Sequence, residues 1–232
     1  MKKYDVVYIL KRDVAPEELR YSLRSVEANL PHNQVWFYGG CPMGIKPDHH
    51  VNFTQHGLTT WDKVSDTIKN VCRNGDITDD FWLFNDDFFI LKKMTNTKPL
   101  VQGSLAYRVQ RIKEQHNGDS AYSNELRKVM ATMKQYNCDR LDYALHVPML
   151  INKRKALKVL NQFPHLPMFR SLYGNYWHIG GELMDDVKIF DNDTIPGKDW
   201  RFCSTTDGSF KEGAVGDYIR SMFKCKGAHE YE

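Results

Sequence analysis

Short apolar runs alternate with one-sided helical stripes along the first hundred residues. Asp5 to Leu10 (D-V-V-Y-I-L) is short, β-branched and almost wholly apolar, the pattern of a buried strand. Leu19, Leu23, Val26 and Leu30 then recur at i, i+4, i+7 and i+11, one apolar stripe of a helix. Pro16 suits its first position, Glu17 and Glu18 its first turn, and Pro31 its end. Gln34 to Tyr38 predicts a second strand, stopped by Gly39 and Gly40. An edge strand is expected at Val51 to Gln55, and a helix over Trp61 to Val71 through Val64, Ile68 and Val71. Phe81 to Leu91 splits into two apolar runs around Asn85-Asp86-Asp87, which predicts strand, sharp polar exit, strand. A chain that opens strand, helix, strand belongs to the α/β class, with an open, mostly parallel sheet and flanking helices.

The second half is less regular. Asn117 to Asn137 holds a charged, methionine-rich helical segment that reads as an insertion. Leu141 to His146 predicts a strand and Lys153 to Leu160 a helix. From Pro164 onward aromatics, prolines and glycines crowd together, as in a loop-built binding surface. No repeat and no clear linker breaks the chain, so residues 1–232 read as one domain of two halves, 1–100 and 101–232.

Composition narrows the class without naming a function. The 232 residues are 41% hydrophobic and 26% charged, a globular balance that excludes fibrous and disordered chains. No stretch approaches the roughly 20 apolar residues of a membrane span. A formal charge of +3 does not demand a nucleic-acid partner. The five cysteines form no C-x-x-C pair and are odd in number, which argues against a zinc ribbon or disulfide scaffold and for a reducing compartment. Asp5 interrupts the first apolar run too early for a signal peptide, so the expected location is cytoplasmic.

The strongest chemical signal is Asn85-Asp86-Asp87. Adjacent carboxylates inside an apolar run are costly unless they are used. At the carboxyl edge of an open α/β sheet, where ligands bind, they can hold Mg²⁺ or Mn²⁺ through oxygen. The alternative is a solvated β-turn in a hairpin. Lys11, Arg12, Arg20 and Arg24 follow the first strand and could clamp a diphosphate. The alternative is surface charge paired with Glu17 and Glu27.

Three segments in order, D-V-V-Y-I-L, E-L-R-Y-S-L-R-S-V-E-A-N-L-P and F-W-L-F-N-D-D-F-F-I, resemble the Stealth-type sugar-phosphate transferases of capsular polysaccharide synthesis. They resemble more closely the short phage- and prophage-type glycosyltransferase-like proteins. The resemblance covers roughly residues 4–100 and continues more weakly through L-H-V-P-M-L-I-N-K and F-R-S-L-Y-G-N. It implies a GT-A-like fold, with residues 1–100 holding a nucleotide-sugar and 101–232 the acceptor. It implies that N-D-D stands for a D-x-D signature, with Asn85 near the ribose or sugar and Asp87 on the metal, Asp86 supporting either. Tyr8, on the first strand, and Lys63 are further donor-side candidates. His146, in a His-x-Pro match, is expected as a third metal ligand or an acid/base group. Arg170 is expected at a phosphate. Tyr173, Asn175 and Trp177 are expected at the acceptor with Asp185. Asp186 or His178 is the candidate base of an inverting transfer, with Asp185 a further one.

The preferred reading is a metal-dependent glycosyltransferase. It moves sugar from a nucleotide-sugar, uridine diphosphate sugar being the first choice, to a glycan or a hydroxymethylated phage-type DNA base. The turn I-L-K-R-D-V-A departs from the tryptophan-containing turn of longer Stealth proteins, which leaves sugar-1-phosphate transfer as the second reading. A non-catalytic glycan- or partner-binding domain is the third.

Overall fold

A computed structural model of the chain describes residues 1–115 and 117–231. The first half folds as β1 (Tyr4–Ile9), α1 (Pro16–Asn29), β2 (His32–Tyr38), β3 (His49–Val51), α2 (Thr60–Arg73), β4 (Asp80–Phe84), β5 (Phe88–Ile90) and β6 (Leu100–Val101). The second holds α3 (Leu105–Gln115), α4 (Ala121–Gln135), β7 (Met149–Asn152), α5 (Lys153–Gln162), α6 (Phe169–Tyr176), β8 (Glu182–Leu183), β9 (Lys188–Ile189), β10 (Phe202–Thr205), α7 (Asp207–Glu212) and α8 (Ala214–Met222).

The central sheet has the order β3-β2-β1-β4-β7. Its first four strands are parallel and β7 runs antiparallel beside β4. Both faces are covered, which is why β1 is a continuous apolar run rather than an alternating one. Successive side chains of β1 go to opposite faces. Val6 and Tyr8 join the cluster of Leu19, Leu23 and Val26 from α1, while Val7 joins Ile68 and Val71 from α2. Helix α2 begins at a capping box formed by Thr59 and Asp62. The α/β class and mostly parallel sheet expected from the sequence are what the chain forms.

The chain leaves the central sheet after Phe84 and enters a second one, β5-β10-β9, at Phe88. Asn85, Asp86 and Asp87 are the bend between the two sheets. Phe89, Cys203, Phe210, Val215 and Ile219 form a separate small core beneath the second sheet.

Three elements differ from the sequence reading. The edge strand pairs through His49 to Val51, with Trp36 stacked on His49, and ends at Val51, where the expected Val51 to Gln55 begins. Leu141 to His146 is not a strand: beyond a single bridge between Ser104 and Leu141, side chains take up its backbone groups. The strand in that region is β7, three residues later. The helical segment expected near 117–137 is α4, but it is half of a hairpin with α3, which buries its own stripe of Leu105, Val109 and Ile112. Among the described residues no helix is long and apolar enough to cross a membrane.

Candidate active site

The carboxyl ends of the parallel strands form a cleft with two adjoining cavities. One, of about 450 Å³, lies over β1, β2 and β3 and is lined by Lys11, Arg12, Gly39, Asn52, Phe53, Gln55 and Lys63, among others. The other, of about 340 Å³, lies between β1, β4, α2, α4 and the start of α6. Asn85, Asp86 and Lys11 line it, together with Trp61, Val64, Ile68, Tyr122, Phe169 and Arg170. Lys11, Gln55 and Thr60 belong to both. Gly39, at φ +117°, lets β2 turn away against Leu10; a Cβ there would sit 2.0 Å from the Leu10 carbonyl oxygen.

The two aspartates have different surroundings. Asp87 Oδ2 is held by Lys188 Nζ at 2.7 Å and by the Ser204 hydroxyl at 2.8 Å. Asp86 borders the smaller, more apolar cavity. Burial and then the neighbouring Asp87 push its carboxyl up to about 6, against the opposing charge of Lys11. Glu18, in the first turn of α1, is also buried and is pushed up to about 7, even though the Thr205 hydroxyl donates to it. The charges of Asp87 and Asp86 add to that rise. Carboxylates therefore crowd this strand end, and a cation or a proton there is favoured.

Arg170 lies behind the same bend. Its guanidinium sits 5.2 Å over the Phe88 ring and donates through Nη1 to the carbonyls of Leu145 and Val147. Nη2 is buried with no partner among the described residues. Burial lowers its pKa to about 10, opposed by Asp87. Between those two carbonyl residues stands His146, edge-on to Phe88 at 6.3 Å. Its Nδ1 meets both oxygens of Asp186 at 2.9 Å. Burial raises the Asp186 pKa, but the hydrogen bonds and charge of His146, with the charge of Arg108, together outweigh it and the net shift is downward. In the tautomer whose Nδ1–H donates to Asp186, Nε2 is free to accept a proton.

The donor set limits what cation it can hold. Among the described residues, no three His, Cys, Asp or Glu side chains converge as a ligand group. His146 turns Nδ1 to Asp186, and Asp87 turns one oxygen to Lys188. Two adjacent carboxylates remain, which fits Mg²⁺ or Mn²⁺ whose shell is completed by substrate phosphates and water, not an all-protein cage.

Other sequence candidates lie elsewhere. Arg24 forms a two-point ion pair with Glu230, at 2.6 and 2.7 Å, and Arg20 reaches the same carboxylate at 3.2 Å. Neither lines a cleft cavity, so the expected arginine clamp is a clasp on the segment near Glu230. Tyr8 is fully buried under α1, bonded to Ser22, and cannot touch a donor. Tyr173 is core, its hydroxyl accepting from the Asn152 amide. Asn175 is also core and bonds the backbone of Leu141 and Ser171. Trp177 donates to the Lys155 carbonyl and lies under Lys155 and Lys158. His178 pairs with Asp139 past the far end of α6, on the order of 12 Å of helix from Arg170. Asp185 is exposed. Lys11, Arg12, Lys63, Asn85, Asp86 and Arg170 do meet at the cleft.

No protein-family model and no curated protein matches the sequence. Solved structures do. An active-site mutant of LgtC is 12% identical, with a TM-score of 0.37 over 73% of this chain and 68% of that one. The galactosyltransferase LgtC in complex with donor and acceptor sugar analogues is 12% identical, with a TM-score of 0.36 over the same shares, 73% and 68%. The glycosyltransferase GlyE of Streptococcus pneumoniae TIGR4 is 9% identical, with a TM-score of 0.37 over 97% of this chain and 50% of that one. At these values the likeness gives no residue correspondence.

Sequence reasoning found Asp86 but not the groups that surround it. Glu18, Lys188, Ser204 and Thr205 reach the bend from distant elements. Only Glu18 carried a local signal, as an acid placed directly before the first residue of an apolar stripe. Trp61 and Tyr122, which stack at 6.4 Å and both line the cavity, come from α2 and α4.

Proposed function

We propose that the chain transfers a sugar from a nucleoside diphosphate sugar to an acceptor hydroxyl. The observation that carries this is the cleft itself. A basic cavity holding Lys11, Arg12 and Lys63 opens into one whose mouth holds Asn85 and Asp86, at the sheet edge where open α/β folds bind ligands. In this reading Lys11, Arg12 and Lys63 bind the diphosphate, and Asn52, Gln55 and the Phe53 ring face the nucleoside. Asn85 orients the sugar. Asp86 and Asp87 would hold Mn²⁺ or Mg²⁺ against the donor phosphates, where the ion supplies charge neutralisation. Lys188 keeps Asp87 fixed in place. The buried Arg170 adds positive charge behind the strand end.

The acceptor oxygen forms the new bond to the anomeric carbon as the bond from that carbon to the phosphate oxygen breaks. The electron pair leaves with the diphosphate. In this reading the acceptor proton goes to His146 Nε2, which Asp186 holds in the accepting tautomer; His146 is part-exposed beside the bend and lines neither cavity. Asp186 thus acts by positioning rather than as the base itself, and His146 serves proton transfer rather than metal ligation.

The test is a product assay by mass spectrometry with purified protein, Mn²⁺ and mixed sugar nucleotides. Glycans and hydroxymethylated DNA are the two acceptor pools. A sugar-sized mass gain, lost in His146→Ala and in Asp86→Asn, is the expected result. A gain of sugar plus phosphate would make the chain a sugar-1-phosphate transferase. No gain, and no stabilisation by uridine diphosphate or any other nucleotide, would end the transfer reading.

A further inference from the structure

The two cleft cavities differ in chemistry. The one over β2 and β3 is rich in amides and cations. The other is walled by Trp61, Val64 and Ile68 of α2, Phe169 at the start of α6, and Tyr122 of α4. Trp61 and Tyr122 lie nearly parallel, at 27°, with ring centroids 6.4 Å apart. Asn85 and Asp86 after β4 and Lys11 after β1 add polar groups to this lining, beside Gln55, Thr60, Arg170 and Ser171. A space of about 340 Å³ is the size of a small-molecule site, and its apolar wall offers water few partners. A diphosphate is poorly served there, because every cation of the cleft except Lys11 and Arg170 faces the other side.

We propose that this cavity receives the acceptor, and that the acceptor carries a flat apolar ring beside its reacting hydroxyl rather than being wholly polar glycan. The ring packs against Trp61 and Tyr122, and the hydroxyl is left at the mouth beside Asp86. The cavity adjoins the basic one through Lys11, Gln55 and Thr60, so an acceptor seated here faces a donor seated there. The inference rests on the transfer reading for the word acceptor. The division of the cleft into a cationic and an aromatic half stands on the lining residues alone.

The probes are 4-nitrophenyl β-D-glucopyranoside and methyl β-D-glucopyranoside, titrated against the full chain by calorimetry, with and without saturating uridine diphosphate. The aryl glucoside is expected to bind at least about tenfold tighter than the methyl one, and uridine diphosphate is expected not to displace it. Trp61→Ala should abolish the difference, and Trp177→Ala should leave it intact. Where Trp61→Ala fails to fold, Val64→Phe fills the same cavity from a half-buried position. It should block the aryl glucoside while keeping uridine diphosphate binding. Equal affinity of the two glucosides in the parent chain would overturn the proposal. So would displacement by uridine diphosphate, which would give the aromatic half to the donor base. Absence of uridine diphosphate binding alongside intact aryl selectivity would instead count against the transfer reading alone.

Discussion

Asp86 and Asp87 are adjacent in sequence, yet only Asp87 also carries a structural ion pair. Asp87 neutralises Lys188 with both side chains mostly buried, at 15% and 17% exposure. Asp87→Asn should therefore cost about 1–3 kcal/mol in urea unfolding, because Lys188 loses its charge partner. Asp86 is held in the folded chain at a cost, with its carboxyl pushed up to about 6. Asp86→Asn should leave stability equal or higher at pH 8 and remove transfer. A variant pair that behaves alike, both unstable or both merely inactive, would contradict this division. Glu18 extends the argument to pH. Its folded carboxyl, pushed up to about 7, holds its proton after the unfolded chain has lost it near 4.5. The unfolded state then binds fewer protons, so stability falls as pH rises from about 4.5 to 7. Glu18→Gln removes that loss and still accepts the Thr205 hydrogen bond. The melting temperature of Glu18→Gln minus that of the parent should grow between pH 5 and pH 8, and a flat difference would refute it. The aspartate pair was legible because acids seldom interrupt an apolar run. Their partners were not, since Lys188 and Ser204 lie 101 and 117 residues further on.

At the scale of elements, α6 decides where Arg170 stands. It packs on the segment from Leu141 to Val147 through Asn175 and through a close approach at Gly174. A Cβ at Gly174 would lie 2.4–2.7 Å from the Tyr143 ring, whose hydroxyl is tied to the Gly180 carbonyl at 2.8 Å. Alanine for glycine inside a helix normally gains up to about 1 kcal/mol. Overpacking against a fixed ring costs about 1–3 kcal/mol, so the clash wins. Gly174→Ala should lower the urea midpoint, and adding Tyr143→Leu should restore part of it. No recovery in the double variant would place the cause elsewhere. The same packing explains the misread strand. L-D-Y-A-L-H has a strand-like composition, but its amides and carbonyls bond Asn175, Ser171 and Asp142, and no local pattern reveals such partners. Helix α3 was different, for its stripe was present in the sequence at ordinary helical spacing.

At the scale of the whole molecule, the segment around Glu230 closes the first βα unit from outside. Glu230 bridges to Ile45, His229 bonds the Lys46 carbonyl, and one carboxylate gathers Arg20 and Arg24. Burial raises the Glu230 pKa, but its bonds to Arg24 and the Gly227 amide overcome that and hold it below the usual range. Its contribution is therefore fully present above pH 4.5 and fades as pH falls through the lowered value. Glu230→Gln should cost about 3 kcal/mol at pH 7, since it strips a mostly buried arginine of its partner, and less at pH 4. Its effect on ligand binding separates two accounts of the arginines. The sequence placed Arg20 and Arg24 near the first βα turn and suggested a phosphate clamp. The fold turns them along α1 toward Glu230, away from Lys11 and Arg12. Freed by Glu230→Gln, they should leave the affinity for uridine diphosphate unchanged, measured by calorimetry below the unfolding transition. A several-fold gain in affinity would return Arg20 to the cleft, and would mean that Glu230 competes with the donor for it.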